Sequence, residues 1–124
     1  MNLLLDSHIL LWWLSGNKRL QSMARRAIED SARCYVSAAT AWEIAIKVAI
    51  GKLEFQGDLE EELATNYLLP LPISVPHAIA AASLPAHHSD PFDRMLIAQA
   101  KIESLTLITH DARLRDYGAS VLVV

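Results

Sequence analysis

Two rhythms of apolar residues run along this chain. Short unbroken runs occur at Leu3-Leu4-Leu5, Cys34-Tyr35-Val36, Leu105-Thr106-Leu107-Ile108 and Val121-Leu122-Val123-Val124. Their length suits strands buried on both faces. Between them, apolar residues recur at helical spacing. Helices are expected over 7–14, Ser22–Asp30, from Ser37 or Thr40 to about Ile50, and over Asp58–Asn66, Pro76–Ser83 and Pro91–Glu103. Met23, Ala27 and Ala24 are assigned to the inner face of the second helix, and Trp42, Ala45, Ile46 and Ala49 to that of the third. Gly51 is placed to stop the third helix. The Glu60-Glu61-Glu62 run suits a solvated helix start. Two prolines limit Leu69–Ile73 to a short edge strand or an extended link, and Ala112–Tyr117 reads as a short helix or turn. Alternating strands and helices predict one α/β domain over 1–124, a three-layer α/β/α arrangement around a mostly parallel sheet.

Composition adds bounds. With 124 residues and 52% of them apolar, one core can be filled. Cys34 is the sole cysteine, which excludes an internal disulfide and any cysteine-based zinc site. Within its apolar run it reads as core. Asp6, Ser7 and His8 interrupt the apolar start, so no secretory signal is visible. The longest apolar run falls far short of the ~20 residues that span a bilayer. A cytoplasmic protein without a membrane segment is expected. The formal charge of −3 argues at first against a nucleic-acid partner. Setting four candidate metal ligands aside leaves the rest of the chain mildly basic.

Those four are Asp6, Glu43, Asp93 and Asp111. Asp6 and Asp111 each follow an apolar strand, and ligands of open parallel sheets bind beyond the carboxyl ends of the strands. Glu43 and Asp93 fall in the first turns of helices that could start at the same edge. Converging carboxylates repel, and a hard divalent cation with oxygen ligands relieves the repulsion. One ion with outer-sphere support, or two roughly 3.5–4 Å apart, would activate a water and stabilise the leaving oxygen of a phosphodiester. The expected chemistry is Mg²⁺- or Mn²⁺-dependent cleavage of phosphodiester bonds, in RNA.

Each acid also has a structural reading. Asp6 and Asp111 could be N-caps. Asp90-Pro91-Phe92-Asp93 has the form of a capped helix start, with Asp90 as the cap. Glu43 and Lys47 could be an i,i+4 surface pair. Ser7 could cap a helix or bond a carboxylate or metal-bound water, and Thr109 could hold the Asp111 loop. His8 could stand near the pocket, while His87, His88 and His110 read as loop residues. No pair of histidines has zinc-site spacing with a third ligand. Of the adjacent Trp12 and Trp13, one is expected in the core and one exposed. Arg94 and Lys47 could touch phosphate.

These residues resemble the PIN-domain ribonucleases, and in particular the VapC-like toxins of toxin–antitoxin pairs. The matching segments are Leu3 to Leu14 with its Asp-Ser-His-Ile-Leu-Leu-Trp run, Val36-Ser37-Ala38 with Trp42-Glu43-Ile44, Asp90-Pro91-Phe92-Asp93-Arg94 with the helix to Ala100, and Leu107-Ile108-Thr109-His110-Asp111. The resemblance implies a compact α/β/α fold, Mg²⁺ or Mn²⁺ dependence, endoribonuclease activity, a homodimer and a cognate VapB-like antitoxin. It makes Asp6, Glu43, Asp93 and Asp111 the four family acids in chain order. Asp90 is a second acid near the third position, able to share the metal. Ser7 stands where threonine is common and keeps the hydroxyl.

Two rivals remain at this level. A haloacid-dehalogenase-like phosphatase wants a second acid two residues after the first aspartate, where this chain has His8. A non-catalytic dimerising or protein-binding domain would have no need of acids at all four positions.

Overall fold

Leu3, Leu4 and Leu5 are all fully buried, which requires a strand covered on both faces. The computed structural model describes residues 1–87, 89–118 and 120–124, so the expectation for His88 lies outside the described residues. The elements are β1 (Asn2–Leu5), α1 (Ser7–Ser15), α2 (Ser22–Asp30), β2 (Arg33–Ser37), α3 (Ala38–Ala49), α4 (Leu59–Thr65), β3 (Leu69–Leu71), α5 (Val75–Ser83), α6 (Pro91–Ile102), β4 (Thr106–Thr109) and β5 (Val121–Val123). A 3₁₀ turn, Ala112–Tyr117, joins β4 to β5.

The strands form one sheet in the order β3-β2-β1-β4-β5, with every pairing parallel. Successive side chains of a strand point to opposite faces, and the core divides accordingly. Leu3, Leu5, Cys34, Val36 and Ile108 pack with Ile9, Ala24, Ile28, Ile44 and Leu63, under α1 to α4. Leu4 and Leu107 pack with Leu96, Ile97, Ala100, Leu114 and Tyr117, under α6 and the 3₁₀ turn. These are the three layers expected. Among the described residues, no helix is long and apolar enough to cross a membrane.

Two helix faces differ from the sequence reading. In α2, Ala24 and Ile28 are buried while Met23 is exposed. Ala24 and Ile28, one turn apart, set the contact, and Met23 is rotated about 100° away. In α3 the buried residues are Ala39, Thr40 and Ile44. Trp42 is 63% exposed, and Ala45 and Ala49 are also exposed. Trp42 lies two residues from both Thr40 and Ile44, about 200° around the helix, so the face that meets the sheet turns its indole away. Trp42 instead rests edge-on against Phe92 of α6, 5.4 Å between centroids. Of the two possible caps, Ser37 serves: its hydroxyl accepts from the Ala39 N–H at 3.0 Å. Gly51, at φ +75, follows the C-cap Ile50 as its glycine backbone allows.

Candidate active site

The sheet register builds the site. Leu5 pairs with Val36 on one side and Ile108 on the other, so Asp6, Ser37 and Thr109 emerge side by side at the carboxyl edge. β1 and β4 flank the point where the strand order reverses, the usual place for a ligand in such sheets. Here Thr109 donates its hydroxyl to Asp6 Oδ2 at 2.5 Å across 103 positions of sequence. The same Thr109 oxygen accepts from the Asp111 N–H at 3.0 Å. One buried hydroxyl thus ties the two strand-end acids together.

Asp6 is buried and also caps α1, with Oδ1 accepting from the Ile9 N–H at 2.9 Å. Burial pushes its carboxyl above the ordinary 3.8; the bonds from Thr109 and Ile9 and the nearby His8 pull partly back. Since Asp6 is the cap, Ser7 is the first helical residue and does not take that role. It is buried and lines the cleft.

Asp6, Glu43, Asp90, Asp93 and Asp111 all line one cleft of about 830 Å³. The carboxyl edge therefore gathers the acids as the spacing predicts. They are not drawn to a single point. Among the described residues, no group of three or more His, Cys, Asp or Glu side chains could hold a metal ion as it stands. Glu43 is turned toward Lys47, one helical turn on, at 3.5 Å. Asp111 receives a fork from Arg113: Nε to Oδ1 at 3.0 Å and Nη2 to Oδ2 at 2.8 Å. Asp111 also caps the 3₁₀ turn through the Arg113 N–H. Asp90 caps α6, accepting from Phe92 and Asp93 N–H at 2.8 and 3.1 Å. The caps read from the sequence at Asp6, Asp90 and Asp111 are real, and they coexist with a shared cleft.

Several neighbours were not legible as site residues. Arg19, Gln21 and Arg113 line the cleft. Arg113 is held charged first by Asp111 and further by Asp93 and Asp90. Its place two residues after a capping aspartate was the available signal. His8 stands near the pocket, as expected, and His110, in an exposed loop as read, also lines it. The His110 Nδ1 lies 2.8 Å from the Val124 carbonyl, an acceptor, which places a proton on Nδ1. Trp12 and Trp13 are both half-buried, instead of one buried and one exposed. Arg94 does not point to a phosphate position: its guanidinium donates to the Ala81, Leu84 and Pro85 carbonyls at the end of α5.

Residues 3–120 match the PIN domain family. Ribonuclease VapC22 of Mycobacterium tuberculosis is 35% identical over 122 residues, covering 92% of this chain and 90% of the relative. A toxin–antitoxin complex from Klebsiella pneumoniae contains a chain of the same fold, with TM-score 0.71 and 20% identity over 98% of this chain and 96% of that one. VapBC2 from Rickettsia felis, bound to a DNA fragment from their promoter, gives TM-score 0.71 at 12% identity over 100% and 98%. At these identities the two structures speak for the fold alone.

Proposed function

The chain belongs to the PIN-domain family, and on that premise we propose that it is a divalent-metal-dependent endoribonuclease, the toxin of a VapBC-type pair. The observation that carries this reading is the convergence of five carboxylates on one cleft at the sheet's reversal point. A relative named as a ribonuclease, alike over nearly its whole length, supports RNA as the substrate. The reading places the protein in the cytoplasm, with its RNA.

The donor set fits a hard ion. Every candidate ligand offers oxygen, as Mg²⁺ and Mn²⁺ prefer. Asp6, buried and with no cationic partner at bonding distance among the described residues, is where a cation would relieve most. Asp6 and Asp93 would be the main ligands, with Asp111 an outer or second-ion ligand and Asp90 able to share the ion. Glu43 would orient the attacking water. Bound there, the ion would supply an activated water and stabilise charge on the leaving oxygen. The chain's own part is positioning. Thr109 fixes the Asp6 carboxylate, Ser7 offers a hydroxyl beside it, and Lys47 and Arg113 give positive charge at the cleft where a phosphate would lie. Ligation by Asp111 requires the Arg113 fork to open.

Two partners complete the reading: a second copy of the chain, and a VapB-like antitoxin that blocks the cleft. Complexes of toxin with antitoxin among the structural neighbours support the latter.

The test is incubation of the purified chain with total RNA, with and without Mg²⁺ or Mn²⁺, followed by mapping of cut sites. Metal-dependent cutting is expected, and Asp6→Asn should lose nearly all of it while remaining folded. Mn²⁺ should raise the melting temperature of the wild type and much less that of Asp6→Asn. Cutting by Asp6→Asn at the wild-type rate would refute the assignment.

A further inference from the structure

The acidic cleft does not end at the carboxylates. A second hollow of about 620 Å³ continues from it between α1 and the segment that follows α3. The two share Ser7, His8, Trp12, Glu43 and Lys47, so a chain lying in one reaches directly into the other. The first is lined by five carboxylates. The second mixes three, Glu43, Glu54 and Glu62, with Trp12 and Phe55 as aromatic surfaces, Asn17 and Gln56 as amides, and Lys47 and Lys52 as positive charges.

Trp12 stands at the junction. His8, one turn earlier on α1, lies 6.0 Å from it at an interplanar angle of 48°. His110, from the loop after β4, meets it edge-on at 5.1 Å and 71°. Neither imidazole stacks flat on the indole. A fixed, half-buried indole beside a phosphate-handling cleft is the form of a stacking platform. Amides nearby match the polar edges of a base, and lysines match the flanking phosphate.

Resting on the ribonuclease reading above, we propose that this second hollow is a nucleobase subsite. It takes the unpaired base of a nucleotide adjoining the cut phosphate and stacks it on Trp12. Asn17 and Gln56 lie where the base edge would be read, and Lys52 where the next phosphate would run. A base can enter only if it has left its partner strand, so the subsite selects single-stranded RNA at the cut. Trp12 is then a specificity-determining residue for substrate binding and takes no part in proton or bond transfer.

The test uses the full chain and a fluorescein-labelled single-stranded oligoribonucleotide carrying a mapped cut site. Binding is read by anisotropy in EDTA, so no cutting intervenes. Trp12→Ala should weaken binding about tenfold or more, and Trp12→Phe should keep most of the affinity. With Mn²⁺ present, Trp12→Ala should raise KM more than it lowers kcat. A second arm needs no variant: each base beside the cut is replaced in turn by an abasic residue. One of the two replacements should weaken wild-type binding as much as Trp12→Ala does, and Trp12→Ala should be indifferent to it. Equal binding of intact and abasic RNA by the wild type overturns the subsite. So does a Trp12→Ala effect confined to capture of a protein partner. Failure of the wild type to cut any RNA with either ion defeats the ribonuclease reading, whereas cutting that ignores the missing bases defeats the subsite alone.

Discussion

Thr109 shows how a single hydroxyl can organise a site. It is fully buried, donates to Asp6 and accepts from the Asp111 backbone. Thr109→Val keeps the volume but removes both bonds. Outer-sphere partners of metal ligands are typically worth about 10–100-fold in metal affinity or activity, and a loss of that size is expected in Mn²⁺ titration and RNA cutting. Thr109→Ser should recover most of it. Asp6 carries a second expectation, on acidity. Its folded-state carboxyl is raised above 3.8, so between the unfolded and folded values the native state holds a proton that the unfolded state releases. Its contribution to stability therefore falls as pH rises through that window, and the full penalty is present near neutrality. In EDTA, Asp6→Asn should melt higher than the wild type at neutral pH, with the advantage vanishing toward about pH 4. Thermal melts across a pH series check this; no gain at neutrality would contradict the burial account. At this scale the carboxylates were legible because each ends a strand or opens a helix. The fork from Arg113 to Asp111 was not, since it depends on two side-chain directions that spacing leaves free.

Helix starts in this chain are strongly specified. Asp58 caps α4 and Asp90 caps α6, each bonding two backbone N–H groups. The Asp90 cap can be separated from any share in the metal. Asp90→Asn keeps an N-cap acceptor but loses the charge, while Asp90→Ala loses both. Asp90→Ala should cost about 0.5–2 kcal/mol of stability in denaturant melts, with Asp90→Asn near wild type. If Asp90→Asn also keeps full cutting activity, Asp90 serves α6 alone. Caps announce themselves because Asp and Ser before an apolar run have a local reason to be there. The box in which the Ser74 hydroxyl accepts from the His77 N–H and His77 Nδ1 accepts from the Ser74 N–H was not read from the sequence. Its third residue is histidine, outside the Glu or Gln of the usual signature. The inward faces of α2 and α3 were misjudged for a related reason. Local spacing says that a helix has an apolar side, but Ile28, Ala39 and Ile44 meeting the sheet decide which side it is.

For the molecule as a whole, the parallel sheet followed from fully apolar strands alternating with helices. The order β3-β2-β1-β4-β5 did not, because it depends on pairings between segments remote in sequence. The surface left outside the two cores bears on the proposed homodimer. Trp42 on α3, Ile50 at its end, and Val75 and Ile79 on α5 are more than half exposed. Both helices pack on α6, and patches of large exposed apolar groups mark association surfaces. Trp42→Glu should raise the dimer dissociation constant by about tenfold or more, as removal of a central aromatic anchor does. Light scattering across a dilution series measures it, and a dimer indifferent to Trp42→Glu must use another surface. The contact between Asp6 and Thr109, finally, has a consequence for the order of biosynthesis. These partners are 103 positions apart, and β1 lies between β2 and β4 at the centre of the sheet. A nascent chain presents its first acid early but cannot lock it until Thr109 has been translated, so no polypeptide stalled short of that residue can carry the assembled centre while still attached to the ribosome.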